Sequence, residues 1–458
     1  MRIRETVRRA FASFLALPTA VIACFGLLAI GTYWLDRSGW SWLSPIRDFM
    51  RDHVFGSEQS TANLLATIAG GVITITSITF SLLLLALQQS AGALTHDVFD
   101  QFLRRRANQV YFGFFVGLTL YSLIVLISVD PPFNPVIGAS LALVLTIVAL
   151  YILLLLIYAC ISQMRPNEIV RAIHDMTLKA RDRQQPLIMR TRRSATLSQM
   201  PATVVRASRD GFVSGIDLDA IAAGLDQARG SVEVSYLQSI GSYVAFQDPI
   251  AEIRGERGEE LAALGDCVAG ATAIQQDRDV DTDPAYGIDQ LATIAWRSIS
   301  TSQQNPSPGI AAVNALHDLL ARWSTDDDPK VDDPPLPVVY PDNVVGSALG
   351  ALESLTVVAS ESMQHQTYAA ILNAIAVLFE RLCPAERQRA EDLVLRSLSG
   401  LGDQILTRAL DDALAALAES LDEGGALDTA RAVRVARNQL AESIGRLNSR
   451  STRVPQSM

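Results

Sequence analysis

The chain has 458 residues, room for roughly three folding units, with 49% apolar side chains and a formal net charge of -10. That balance excludes a nucleic-acid partner, which needs a basic surface. Cys24, Cys160, Cys267 and Cys383 lie far apart with no Cys-x-x-Cys pair, which argues against a disulfide framework and a zinc site.

The positive mean hydropathy of +0.23 comes almost wholly from the first third of the chain. Four stretches there are long and apolar enough to span a bilayer as helices, at about 11–35, 62–89, 109–129 and 136–161. The first follows Arg2, Arg4, Arg8 and Arg9 and contains Val21-Ile22-Ala23-Cys24, which resembles a lipoprotein cleavage box. Residues 25–35 stay apolar where a released lipoprotein would begin a polar tether, so the span is expected to be retained. The polar segment 36–61 follows, with Trp34, Trp40 and Trp42 suited to an interfacial belt.

The second span is the most informative. It carries no charge, yet Asn63, Thr67, Gly70, Thr74, Ser77, Ser81 and Gln88 recur at helical spacing and share one face. A polar stripe in hydrocarbon has to meet another helix or water, so this one is expected to pack inside a bundle or to line an aqueous path. Both readings are open on the residues alone. No Asp, Glu, Lys, Arg or His falls inside the four stretches, which argues against a proton-coupled pump.

Residues 90–108 predict a short amphipathic surface helix, with Val98, Phe99, Phe102 and Leu103 against Asp97, Asp100 and Arg104 to Arg106. The third span holds Gly113-x-x-x-Gly117, a spacing that lets helices approach closely. The turn Asp130-Pro131-Pro132-Phe133-Asn134-Pro135 then joins it to the fourth as a tight antiparallel hairpin. Arginines cluster at the N-terminus, at 104–106 and from Arg165 to Arg193, which places both termini on the cytoplasmic side.

Beyond the spans, 162–200 reads as a helical connector with its basic face near anionic headgroups. Residues 201–258 read as a small β-rich subdomain. Its runs at Thr203–Val205, Gly211–Val213, Val232–Val234, Tyr243–Val244 and Pro249–Ile253, with a helix at Asp217–Gln227, resemble strand-swapped barrels of the biotinyl or lipoyl type. No lysine sits at a hairpin tip, so no attached cofactor is expected. Residues 259–450 read as a cytoplasmic helical domain, with helical spacing at 287–302, 309–323, 344–382, 386–398, 402–421 and 427–447, Pro384 ending the third. The Pro- and Asp-rich 324–343 reads as an exposed connector, and 451–458 as a disordered tail.

No motif assigns a chemistry. Asp277, Asp279, Asp281 and Asp283 alternate as in a calcium loop, but Thr282 replaces the turn glycine and Ile288 the bidentate glutamate, so a solvated acidic loop is expected. Asp326–Asp328 with Asp332 and Asp333 read as linker. His53, His96, His174, His317 and His365 are isolated, and no phosphate-binding or nucleophile motif is present. Neither enzyme activity nor a metal or other cofactor is expected.

Taken together, Pro18, Phe80-Ser81, Leu87-Gln88, Phe102, Asn108-Gln109 and Gly113 in the apolar third resemble the bacterial predicted-membrane-protein family known as domain of unknown function 2254. Downstream the likeness rests on Gly211-Phe212-Val213, Ile216-Asp217, Tyr243-Val244, Asp283, Tyr286-Gly287-Ile288, Gln290-Leu291, Ile294-Ala295 and Arg297-Ser298-Ile299-Ser300. Two departures are His96-Asp97 in place of a Pro-Arg pair, and 300–306, which lacks the aspartate of the family's Ser-Pro-Gly signature. The resemblance implies four spans, a cytoplasmic C-terminal region and a bacterial inner membrane, and no established activity. The fold expected is mainly α: a four-helix transmembrane bundle, a small β-barrel-like subdomain and a cytoplasmic α-helical domain. The function expected is a homo-oligomer with a channel-like path for an ion or small solute, or a non-conducting scaffold or sensor anchored in the lipid bilayer.

Overall fold

The computed structural model describes residues 16–38, 44–53, 55–93, 106–131, 133–163, 166–228, 230–256, 258–300, 305–324 and 334–443. The chain divides into two compact units, Met1–Arg165 and Pro166–Met458.

The first unit consists, among the described residues, of helices α1 (Ala16–Ser38), α2 (Ser44–His53), α3 (Glu58–Ala93), α4 (Arg106–Ile127) and α5 (Val136–Gln163). Helix α4 is the hub and packs against α1, α3 and α5. Its fit to α1 depends on two glycines: a Cβ at Gly113 would sit 3.0 Å from Pro18 Cα, and one at Gly117 would enter the Phe25 ring. The α4–α5 turn closes through Phe133 N–H to the Asp130 carbonyl at 2.7 Å, the tight hairpin expected from the proline-rich junction. Large apolar side chains cover the outside as well as the core: Leu27, Ile30 and Trp34 of α1 and Val144, Ile147, Tyr151, Leu154 and Tyr158 of α5 are exposed. A helical unit with such an exterior matches hydrocarbon as its solvent.

Five helices in the described residues are long and apolar enough to cross a membrane, at Ala16–Ser38, Glu58–Ser81, Gln109–Ile127, Val136–Tyr158 and Val344–Glu361. The fifth was not among the four expected spans. It is 56% buried inside the structure, against 17–39% for the others.

The second unit opens with α6 (Pro166–Arg190), which packs on α9 (Pro284–Ile299) and α10 (Pro306–Trp323). The segment expected as a helical connector is thus a helix of this unit, and three of its cations are paired there. Arg181 donates twice to Asp342 at 2.9 and 2.6 Å, Arg183 donates to the Asp281 carbonyl at 2.6 Å, and Arg190 pairs with Asp219 at 2.8 Å.

The expected barrel is not formed. Strands β1 (Ala202–Arg206), β5 (Pro249–Arg254), β3 (Glu233–Tyr236) and β7 (Val338–Val339) make one sheet in that order, and β4 (Tyr243–Val244), β2 (Gly211–Ile216) and β6 (Thr272–Gln275) make another. Neither closes on itself. All pairs are antiparallel except β3 with β7. At Gly211, φ is +140° and a Cβ would meet the Gln275 carbonyl of β6, so glycine is required at this crossing. Helix α7 (Leu218–Gln227) is capped by Asp217, which accepts from the Asp219 and Ala220 amides. With α8 (Gly258–Ala271) it packs onto a core that includes Val205, Val234, Ile253 and Tyr340. Strand β7 and the buried Ser324 and Tyr340 lie in the stretch expected to be an exposed connector, whose residues 325–333, with Asp326–Asp328, Asp332 and Asp333, lie outside the described residues.

The remaining helices are α11 (Val344–Glu361), α12 (His365–Leu378), α13 (Pro384–Leu398), α14 (Arg408–Glu423) and α15 (Leu427–Ser443). They stack in pairs, α12 on α14, α11 on α13 and α14 on α15. The single run expected over 344–382 is broken at Met363, where φ is +56°. Pro384 opens α13 instead of merely ending its predecessor, as suits a residue with no N–H to donate, and Glu386 accepts from the Cys383 amide at 3.3 Å.

Candidate functional site

At 100° per residue, Asn63, Thr67, Gly70, Thr74, Ser77 and Ser81 of α3 fall within an arc of about 80°. All six are exposed. Leu65, Ile68, Val72 and Thr79, on the opposite side of the same helix, are buried against the bundle. Within the first unit the stripe thus points away from the described helices, so in a single copy it does not pack inside the bundle. Gln88 lies beyond Ser81, outside the described side chains. A Cβ on Gly70 or Gly71 would meet nothing within 4 Å. Three hydroxyls bond back to their own helix: Thr67 to the Asn63 carbonyl at 2.7 Å, Thr74 to Gly70 at 2.9 Å and Ser81 to Ser77 at 2.9 Å. Each leaves oxygen lone pairs on the outer face, the acceptor surface an uncharged conduit or a polar helix contact needs.

A second polar centre, not expected from the sequence, lies inside the bundle. Asp36 is buried near the end of α1 and accepts from the first amides of α5, Ile137 N–H at 2.9 Å and Gly138 N–H at 3.0 Å. A carboxylate at a helix N-terminus satisfies donors that have no partner within that helix. Tyr121 of α4 completes the joint: its hydroxyl donates to the Gly138 carbonyl at 3.0 Å and lies 3.3 Å from Thr32 Oγ1. Three helices therefore converge on one carboxylate. The sequence signal for this joint is an aspartate that directly follows the apolar run ending at Leu35. Helix α1 continues to Ser38 and so carries Asp36 and Arg37 beyond the expected span of 11–35.

In the second unit the residues that carried the downstream resemblance form joints between elements. Asp283 caps α9, accepting from Tyr286 N–H at 3.1 Å and from Arg278 Nε at 2.7 Å. Arg278 also donates to Asp289 at 2.6 Å and lies 4.8 Å over the Tyr286 ring and 5.9 Å from that of Phe212, which meets Tyr243 edge-on. Of the expected solvated acidic loop, Asp277, Asp279 and Asp281 are exposed and Asp283 is buried. Gly287 lets α9 approach Thr177 of α6. His174 bonds Asp318 at 2.8 Å, and no group of His, Cys, Asp and Glu among the described residues could hold a metal ion. The expected surface helix at 90–108 falls largely on residues outside the described ones, as do His96, Asp97 and 301–304.

The family profile described as Predicted membrane protein (DUF2254) matches residues 12–347, more than half of the chain. The chain belongs to that family. No curated protein and no solved structure matches it. The DUF2254 match takes in α1 to α10, all seven strands and the first turn of α11, leaving α12 to α15 beyond it. It also spans the two places where the family-like residues meet: Pro18 against Gly113, and the Phe212, Tyr243 and Asp283 cluster around Arg278.

Proposed function

We infer that this DUF2254 protein is a homo-oligomeric, four-span membrane protein in which α3 helices from several copies face one another around a polar path for an ion or small solute. The supporting observation is a contrast between outward faces. Helix α5 presents Val144, Ile147, Tyr151 and Leu154 to its surroundings, whereas α3 presents Asn63, Thr67, Gly70, Thr74, Ser77 and Ser81, flanked by the exposed Ile73, Ile78 and Phe80. Hydrocarbon suits the first set, and a second helix or water suits the other. The more buried α11 is taken as a core helix of the second unit, which leaves α1, α3, α4 and α5 as spans. The arginine distribution then puts both termini and the second unit on the cytoplasmic side of an inner membrane.

A second reading, a non-conducting anchored scaffold or sensor, is favoured by the back-bonded hydroxyls, which need no external partner. Flux through the purified protein in liposomes separates the two. The conducting reading expects flux that Thr74→Leu or Ser77→Leu reduces to background; flux indifferent to both substitutions contradicts the assignment to this face. An inert wild type leaves the scaffold reading standing.

A further inference from the structure

Beside the Asp36 joint the first unit holds a cavity of about 140 Å³, well beyond the space one ordered water occupies. Its lining is two-natured: Ile30, Ile124 and Val125 are apolar, while Thr32, Asp36 and Ser128 bring oxygen atoms. Ile30 is 63% exposed, so the apolar lining continues onto the outer surface of the unit. Tyr33 also lines the cavity, meets Phe133 edge-on at 5.6 Å and accepts from Arg37 at 2.8 Å. Helix α2 packs against α5, whose first amides Asp36 caps, and brings Arg47 and Arg51 into the neighbourhood of that carboxylate without lining the cavity; Arg47 Nε is buried without a hydrogen-bond partner. The neighbourhood therefore offers one carboxylate, an aromatic ring, three cations with one unused donor among them, and an apolar flank, at the end of a candidate membrane helix.

No simple ion matches this set. A metal cation would compete with two arginines for a carboxylate that already accepts two amides, and a lone anion would face that carboxylate. A molecule carrying both charges on an alkyl body satisfies all of it. We propose that this cavity binds the headgroup of a phospholipid with a primary ammonium, the ammonium on Asp36, the phosphodiester reaching Arg47 and Arg51 beyond the lining, and an acyl chain along Ile30. Aromatic faces and carboxylates attract ammonium groups, and arginine is suited to phosphate. This site is separate from the α3 stripe, and its test reads no flux, so its failure leaves the reading of α3 untouched.

The test is native mass spectrometry of the delipidated full-length protein in detergent, with phosphatidylethanolamine, phosphatidylcholine, phosphatidylglycerol and soluble phosphoethanolamine as probes. Phosphatidylethanolamine is expected to bind about tenfold or more tighter than phosphatidylcholine, whose methylated head donates no N–H bond to a charged acceptor. Asp36→Asn should erase that preference, and Arg47→Gln should weaken all three lipids. Ser128→Leu, which fills the cavity and leaves the Asp36 bonds intact, should lower phosphatidylethanolamine retention even if Asp36→Asn fails to fold. Equal retention of the three lipids, or retention unchanged by Ser128→Leu, overturns the proposal. Binding of phosphoethanolamine as tight as that of the lipid overturns it too, since the ligand would then be a soluble one.

Discussion

Two buried carboxylates show how single residues organise this chain. Asp36 ties α1 to the start of α5, and its removal strands two amide donors in a buried setting. Asp36→Ala should therefore cost about 2 kcal/mol, read as a lower melting temperature in detergent, because charged hydrogen bonds of this kind are worth about 1.5–3 kcal/mol. Thr74→Ala, which removes only a bond to its own helix on an exposed face, should stay within about 0.5 kcal/mol for a single copy. Glu233 of β3 does similar work in the second unit. It is fully buried and accepts from the Thr196 amide at 2.8 Å, the Thr196 hydroxyl at 2.6 Å and the Leu197 amide at 3.2 Å. Burial by itself pushes this carboxyl up, but the Thr196 and Leu197 bonds and the Arg192 guanidinium outweigh it and hold Glu233 below its ordinary value. The unfolded chain then takes up the proton first as pH falls. Stability from Glu233 is thus full at neutral pH and is lost as pH drops from the ordinary carboxylate value through the lower folded one. Hydrogen exchange should show the Thr196 and Leu197 amides losing protection over that acidic window, and Glu233→Gln should remove the protection at neutral pH.

Elements were legible in the sequence to the extent that their signal is local. Four apolar stretches announced themselves by length and composition, and the strands at 202–254 by short β-branched runs between turns. What an element packs against is not local. The polar arc of α3 could be read from spacing, but not its direction, because the opposite arc of Leu65, Ile68 and Val72 is apolar and would suit lipid as well as a helix core. The expected barrel does not form for a related reason: runs at period two do not say which strands pair, and β7, only two residues long, arrives from far downstream to sit beside β3. Asp36 was missed because its partners, the amides of 137 and 138, lie about a hundred positions away. Glycines on two helices make opposite predictions. Gly117→Leu should drive a side chain into Phe25 and destabilise the fold by about 1–3 kcal/mol, as overpacking does. Gly70→Leu meets open space in one copy and should leave the melting temperature of dispersed monomer unchanged or slightly higher, since leucine favours helix over glycine. If copies meet along this face, that same change should shift size-exclusion profiles towards smaller species.

At the scale of the whole molecule, a DUF2254 chain joins a unit with an apolar exterior to a second unit of two small sheets and stacked helices. The central claim is that copies of this chain converge on the outward face of α3 and enclose a wet path there. Single cysteines placed at Thr67, Thr74, Ser77 and Ser81, and as controls at the flanking Ile73 and Phe80, test it most directly in a background freed of the native cysteines. The membrane-embedded protein is then oxidised, or treated with a water-soluble thiol reagent. The account predicts disulfide-linked dimers and reagent labelling at the four hydroxyl positions and neither at the two controls. Labelling absent from all six, with no dimer formed, would show α3 turned to lipid and contradict it.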